Sequence, residues 1–329
     1  MNSLPDPQST LPAERALEVF SDILDGSCDA GAIKIFLVGM ADRGETADEI
    51  AAAVSAMRAK MIAVEAPDNA IDVCGTGGDG SHSLNISTAT ALVVAACDIP
   101  MAKHGNRAAS SKSGAADTLE ALGLDLAKAA TNGEDNLREI GIAFFFAPNH
   151  HPALGPLAPI RKDIGRRTIF NLLGPLCNPA RVKRQLIGVA SPDLVERYAA
   201  AANQLDYDKV MIVSGEEGLD ELSISGPSKI ALVENGNITT SSIKPEDIGL
   251  PTHSPEAIKG GDAQFNAAAL RDLLMGEKSA YRDAVLLNSA GALMVAGEVE
   301  SWDEGVEEAA EAIDKGLAKA LLDCWIANQ

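Results

Sequence analysis

Four short stretches of this sequence hold the residue types that chemistry needs. The first is Asp72-Val73-Cys74-Gly75-Thr76-Gly77-Gly78-Asp79-Gly80, followed by Asn85-Ile86-Ser87-Thr88 at the start of an apolar run. Four glycines in six residues free a backbone to wrap an anion. Their amides, with the positive end of the following helix, make a phosphate or pyrophosphate cradle. A tight turn closed by a Ser, Thr or Asn cap would use the same residues without a ligand. The second stretch runs from Lys103-His104-Gly105-Asn106-Arg107 through Ala108-Ala109-Ser110-Ser111-Lys112-Ser113-Gly114. It gathers cations and hydroxyls in one glycine-bounded loop, with Lys as a point charge and Arg as a fork for a phosphorylated ligand. The bland alternative is a surface loop with His104 satisfied by packing.

The third stretch is Gly218-Leu219-Asp220-Glu221-Leu222-Ser223. Its adjacent carboxylates offer hard oxygens that could hold magnesium against substrate phosphates, although such a pair is more often solvated surface. The fourth runs from His150-His151-Pro152 past Arg161 to Arg166-Arg167-Thr168-Ile169-Phe170-Asn171-Leu172-Leu173-Gly174-Pro175-Leu176-Cys177-Asn178-Pro179. Prolines and glycines break it, so it reads either as a hinge bearing substrate contacts or as a rigid connection whose arginines neutralise nearby acids. No Cys or acid stands at ligand spacing from the two histidines, which are expected to hydrogen-bond within the hinge rather than to bind metal.

The elements that must position these stretches follow from periodicity. Residues 11–65 read as consecutive helices, with Leu17, Phe20 and Leu24 at helical spacing and a capping-box pattern from Thr46 to Glu49 opening the third. A turn at Ala66-Pro67-Asp68-Asn69 sets a boundary between a helical domain, 1–68, and an α/β domain, 69–329. Strands are predicted at 71–74, 99–104, 142–147, 186–190 and 210–213, with helices such as 88–96 and 193–205 between them. That alternation implies a mostly parallel sheet covered by helices. Segments 229–234 and 238–243, joined through Asn235-Gly236-Asn237, read as an added antiparallel hairpin, and the chain returns to helix from Phe265. The first two stretches, and the third, would then leave strand ends where open α/β sheets bind ligands.

Composition narrows the partners. The 329 residues are enough for two structural units, and 46% hydrophobic residues supply a large core. A formal charge of -20 repels nucleic acid and anionic lipid, so neither is expected as a partner. Five cysteines without CxxC spacing, no basic and apolar leader, and no apolar run near membrane length lead to the expectation of a cytoplasmic protein with reduced thiols.

Taken together, the GTGGD loop with NIST, the KHGNR loop, RTIFNLLGPLCNPA and GLDELS, in this order and at these separations, resemble the anthranilate phosphoribosyltransferase family. The likeness runs along nearly the whole chain. One departure, Asn288-Ser289-Ala290-Gly291 where the family pattern would have Asn-Ala-Ala, is expected to lie away from the chemistry. The resemblance implies a small helical domain, completed by part of 149–180, above a large α/β domain, with homodimers formed through the small domains.

By position, it implies that Gly75, Gly78, Asp79, Ser83, Asn85, Ile86, Ser87, Thr88, Lys103, His104, Gly105, Asn106, Arg107, Ala108, Ala109, Ser110, Ser111 and Ala115 hold 5-phosphoribosyl 1-pyrophosphate. It assigns Ser87, Asp220 and Glu221 to Mg2+, and Gly75, Asn106 and Arg161 to anthranilate, with no acid or base assigned. The implied reaction is displacement of pyrophosphate from the ribose anomeric carbon. Two rivals stand beside it: a pyrimidine nucleoside phosphorylase of the same architecture, and a catalytically silent relative that binds nucleic acid. The Lys103–Arg107 loop and the Asp220-Glu221 pair disfavour the first, and the charge disfavours the second.

Overall fold

The N-terminal residues form three helices because each has a buried face, and the second and third also have a side-chain cap. In Ala13–Leu24, the residues Ala16, Val19, Phe20, Ile23 and Leu24 share one buried face. The Asp29 side chain accepts from Ala32 N at the start of Ala30–Arg43. Thr46 and Glu49 complete the capping box that opens Ala47–Lys60, as the sequence pattern predicts. The structure is a computed structural model and describes residues 2–108 and 111–328.

Beyond residue 70 the chain builds one seven-stranded sheet: β1 (Ile71–Gly75), β2 (Met101–Gly105), β3 (Ile142–Phe146), β4 (Arg184–Gly188), β5 (Lys209–Gly215), β6 (Ser228–Glu234) and β7 (Asn237–Ile243). The order is β3-β2-β1-β4-β5-β6-β7, with β1 to β5 parallel and β6 and β7 antiparallel. Several bounds differ from the sequence reading. The strand predicted at 99–104 starts at Met101, after Pro100, and that at 142–147 stops at Phe146 because Ala147 opens a short helix. The strand predicted at 186–190 lies two residues earlier. The hairpin loop has two residues rather than three. Glu234 pairs with Asn237, and Asn235 and Gly236 have φ of +51° and +77°, the type I′ signature.

Alternation along the strands sends successive residues to two cores. Leu186, Met211, Val213 and Ile230 face one core with helices Ile86–Ala95 and Ala280–Ala296. Ile187, Val210, Ile212 and Val233 face the other with helix Pro192–Ala202. That second core is continuous with Phe20, Phe36, Met40 and Ile50 of the N-terminal helices and with Leu157, Phe170 and Leu176 from the 150–179 stretch. Each such side chain contributes about 2 kcal/mol on burial, so this face fixes the helical part against the sheet.

β2 and β3 lie on one side of β1 and β4 on the other, so the chain reverses direction across the sheet at β1. Such a reversal is the place where loops leaving strand ends bind ligands in open α/β sheets. No helix among the described residues is long and apolar enough to cross a membrane.

Candidate active site

The glycine loop leaves β1 with its backbone in conformations that side chains resist. Gly77, Gly78 and Gly80 have φ of +69°, +76° and +75°, and none has a neighbour within reach of an added Cβ. Thr76 N donates to Gly188 O at 2.9 Å, and Gly77 N donates to Asp220 Oδ2 at 2.7 Å. The loop therefore rests on the end of β4 and on the third stretch. Asp79 Oδ1 accepts from Ser81 N at 3.1 Å, whereas its buried Oδ2 and the Thr76 hydroxyl have no partner.

Glu221 sits at the first turn of helix Ile86–Ala95, where Oε1 accepts from both the amide (3.1 Å) and the hydroxyl of Ser87. The helix N-terminus favours this negative charge. Its surroundings otherwise do not: burial and the charge of Asp220 push the Glu221 carboxyl up, and burial and the charge of Asp79 do the same to Asp220. Three carboxylates and a hydroxyl thus crowd one place with too little positive charge. Among the described residues, no group of three or more His, Cys, Asp and Glu side chains is arranged to hold a metal by itself. A hard cation bound to these oxygens would be completed by water or by ligand oxygens, the coordination magnesium favours.

Two contacts that the sequence did not reveal place this pair. A Cβ on Gly188 would overlap the Asp220 backbone carbonyl, so only glycine at the end of β4 lets that loop come so close. Asn288 clamps the next residue: its Oδ1 accepts from Leu222 N at 2.9 Å, and its Nδ2 donates to Leu222 O at 2.9 Å. Asn288, which keeps the family pattern, therefore braces the acidic loop. Ser289, the departing residue, is buried with its hydroxyl unpartnered.

The second stretch divides between buried and exposed roles. Lys103 is buried, and its Nζ donates to Val73 O at 2.6 Å. His104 is buried too, with Nδ1 3.1 Å from Gly174 O. A carbonyl only accepts, so Nδ1 carries the proton and Nε2 remains an acceptor without a partner. Burial, then the neighbouring His151, His150 and Lys103, pushes the imidazole down to about 3, which keeps it neutral. The exposed Asn106 accepts from Arg107 N through Oδ1. Arg107 pairs with Asp117 at 2.9 Å and Glu120 at 2.5 Å, so its guanidinium already has anionic partners. Asp117 also accepts from Ala108 N and Gly114 N, folding the loop onto helix Ala115–Leu122. Ser111 Oγ donates to Ser113 O; Ala109 and Ser110 lie outside the described residues.

Asn85 works as a knot: its Oδ1 accepts from Thr118 Oγ1 (2.5 Å) and Asn266 Nδ2 (2.8 Å), and its carbonyl from Tyr281 Oη (3.0 Å). Ile86 and Thr88 point into the core, which leaves only their backbones for a ligand. Ser83 pairs with Lys259 in an isolated bridge.

In the fourth stretch, His150 Nδ1 lies 3.0 Å from Ile62 O, a hydrogen bond within the hinge region. His151 departs from expectation, since neither ring nitrogen has a partner of normal geometry; its ring meets that of His104 edge-on at 5.3 Å. Arg161 lies half-buried on helix Ala158–Ile164. Its guanidinium has no ion-pair or hydrogen-bond partner among the described residues, and burial pushes it below its ordinary value. Hydrogen bonds thus join the glycine loop, Ser87, Asp220 and Glu221, and join His104 to the hinge, while none links Arg161 to either group.

Residues 67–319 match the a/b domain of the glycosyl transferase family, and residues 6–61 match its helical bundle domain. Over 327 residues the chain is 60% identical to an anthranilate phosphoribosyltransferase of Novosphingobium aromaticivorans, covering 99% of each. The chain belongs to the anthranilate phosphoribosyltransferase family. Solved structures of that family superpose on it closely. The anthranilate phosphoribosyltransferase of Thermus thermophilus has a TM-score of 0.92 at 40% identity, over 97% of this chain and 96% of that one. The anthranilate phosphoribosyltransferase of Saccharomyces cerevisiae, solved with PRPP and Mg, has a TM-score of 0.88 at 28% identity, over 96% and 93%.

Proposed function

We infer that this chain transfers the phosphoribosyl group of 5-phosphoribosyl 1-pyrophosphate to the amine of anthranilate, forming N-(5-phosphoribosyl)anthranilate and pyrophosphate in tryptophan biosynthesis. The observation that carries the reading is the junction of the glycine loop with Ser87, Asp220 and Glu221 past the end of β1 in a chain of this family. The family and the acidic pair together set aside the phosphorylase and nucleic-acid readings.

In the reaction a carbon–nitrogen bond forms at the anomeric carbon as the bond to pyrophosphate oxygen breaks. Positive charge builds on the sugar and negative charge on the leaving group. Backbone amides of Gly78 to Gly80, beyond the Thr76 and Gly77 amides that hold the loop to Gly188 and Asp220, and the N-terminus of helix Ile86–Ala95 would be fixed dipoles that stabilise the leaving group. Ser87, Asp220 and Glu221, with the unpartnered Oδ2 of Asp79, would hold Mg2+. The ion would supply charge neutralisation at the pyrophosphate. The stretch from Lys103 to Ser111 would hold the donor. The attacking aromatic amine of anthranilate is unprotonated at neutral pH, so it needs orientation rather than a base. The unpartnered Arg161 fits its carboxylate, with Asn106 and the Gly75 backbone as further contacts.

The domain division at 66–69 belongs to this reading, as does a homodimer through the helical domain, which is supported by exposed Leu17 (41%) and Ile35 (68%) on its helices. Unpaired cysteines accord with a cytoplasmic setting.

The test is loss of anthranilate fluorescence on adding protein, magnesium and 5-phosphoribosyl 1-pyrophosphate, with thymidine plus phosphate as a parallel control. Loss that needs all three components is expected. Turnover only in the control would move the assignment to a phosphorylase.

A further inference from the structure

β1 and β2 carry the two loops of the site, and the seam between them is open. They pair through one residue couple, Ile71 with Met101, while β1 pairs with β4 and β2 with β3 over five couples each. Beyond Met101, side chains occupy the place of the ladder. His104 N donates to Asp72 Oδ1 at 3.2 Å. Asn178 Nδ2 donates to Ala102 O at 2.7 Å and to Asp72 Oδ2 at 2.8 Å. Lys103 Nζ reaches Val73 O from the other strand. Asp72 is 0% exposed and Asn178 1%, so this wedge is sealed from water.

The wedge continues to the hinge and the helical domain. Gln185 Nε2 donates to Asp72 Oδ2 at 3.0 Å and to Pro175 O at 2.9 Å. Tyr207 Oη donates to Gln185 Oε1 at 3.1 Å, and Arg58 donates to Tyr207 Oη at 3.0 Å and to Leu176 O at 2.8 Å. A carboxylate suits the centre of this chain because it accepts from three donors at once. An amide there would turn an N–H toward another donor. Backbone groups in the seam would otherwise be buried without partners, at a cost comparable to a lost hydrogen bond each.

We propose that Asp72 and Asn178 are positioning residues of the transfer reaction: wedged between β1 and β2, they set the separation of the glycine loop from the Lys103–Arg107 loop and couple it to the hinge. This rests on the transferase reading, in which the phosphoribosyl donor must meet both loops. Neither residue touches a reacting atom. Asp72 acts through the backbone of His104 and Asn178 through that of Ala102, and hence through the loops that follow.

Asp72→Asn tests it, with two readouts on the whole protein. Misplaced loops are expected to raise KM for 5-phosphoribosyl 1-pyrophosphate by about a hundredfold, and KM for anthranilate by less, because Arg161 lies outside both loops although Gly75 and Asn106 lie on them. Hydrogen exchange in peptide 101–108 should quicken while β4 and β5 stay protected. Asn178→Ala, which frees Ala102 O, should give the same split with a smaller amplitude, and it carries the test if Asp72→Asn fails to fold. A donor KM within about threefold of the parent in both single variants, or activity lost only in proportion to unfolded protein, would overturn the proposal. Should the parent protein not consume both substrates, the function reading fails on its own. The exchange rate of 101–108 then decides the wedge, unchanged protection in both single variants refuting it.

Discussion

Glu49 and the Asp220–Glu221 pair are all carboxylates set into protein, and their surroundings are opposite. Glu49 has a side chain 0% exposed, and it accepts from Leu11 N at 2.9 Å, from Thr46 N at 2.9 Å and from two nitrogens of Arg43. Burial alone would raise its carboxyl, but the Arg43 bond, the two amides and the Arg43 charge together hold it below the usual range. Asp220 and Glu221 have amides and a hydroxyl but no guanidinium or ammonium bonded to them, and each other's charge nearby. The first arrangement is complete inside the fold and welds Leu11 and two helices together. The second is incomplete and calls for a cation from outside. The contrast separates a structural acid from a functional one without reference to where either stands in the sequence.

The contrast breaks most visibly if both functional acids are neutralised. Asp220→Asn with Glu221→Gln should cost at least about a thousandfold in magnesium-dependent turnover, the scale of removing a leaving-group stabiliser. The apo protein should become more stable, because the removed charges repel one another. Since both carboxyls are raised above their unfolded values, parent apo stability should fall as pH climbs from the ordinary carboxylate range toward those raised values, and level off above them. The double variant should lack that slope in thermal melts with chelator present. A parent-like magnesium titration would remove the pair from the site.

Glu49→Gln should act in the opposite sense, lowering stability by about 3 kcal/mol because Arg43 is left buried without its counter-charge. Glu49 is depressed below its unfolded value, so its contribution is present above the unfolded value and lost as pH falls through the folded one. Denaturant midpoints across that acid range should show a steeper loss for the parent than for the variant. Gly188→Ala leaves every charge in place and displaces Asp220, and should cost about a hundredfold in kcat/KM with an altered magnesium midpoint. Wild-type magnesium affinity in that variant would show that the close approach is not needed. The smallest effect should come from the unpaired cation. Arg161→Ala is expected to raise KM for anthranilate about tenfold, the worth of one charge-assisted contact, and to spare the donor. Equal changes in both constants would detach it from the acceptor.

What was legible in the sequence was local. Glycines at 77, 78 and 80, the Thr46–Glu49 box and the turn read at Asn235-Gly236-Asn237 each declare a backbone geometry within a few residues, and the fold contains all three, the turn one residue shorter than read. Strand ends were less legible, because the ladder partner decides them: β4 begins at Arg184 opposite Ile71, which hydropathy alone does not show. Long-range service was not legible at all. Asp72 reads as one polar residue in an apolar strand, and Asn178 as the residue before a proline. Their meeting depends on the seam left open between strands 30 residues apart in sequence. Gly188 is likewise silent until Asp220, from a different loop, arrives beside it.

The second core also carries a consequence for the order of events during synthesis. Helices Ala13–Leu24 to Ala47–Lys60 share their apolar faces with the segment that begins at Pro152 and with β4 and β5 further on. Roughly 90 residues separate the end of the third helix from the first of those partners, so at about 5 to 20 residues per second the nascent bundle waits several seconds uncovered. The part of the protein made first is therefore among the last to become whole, and a ribosome stalled before Pro152 presents a bare apolar surface to whatever chaperone is at hand.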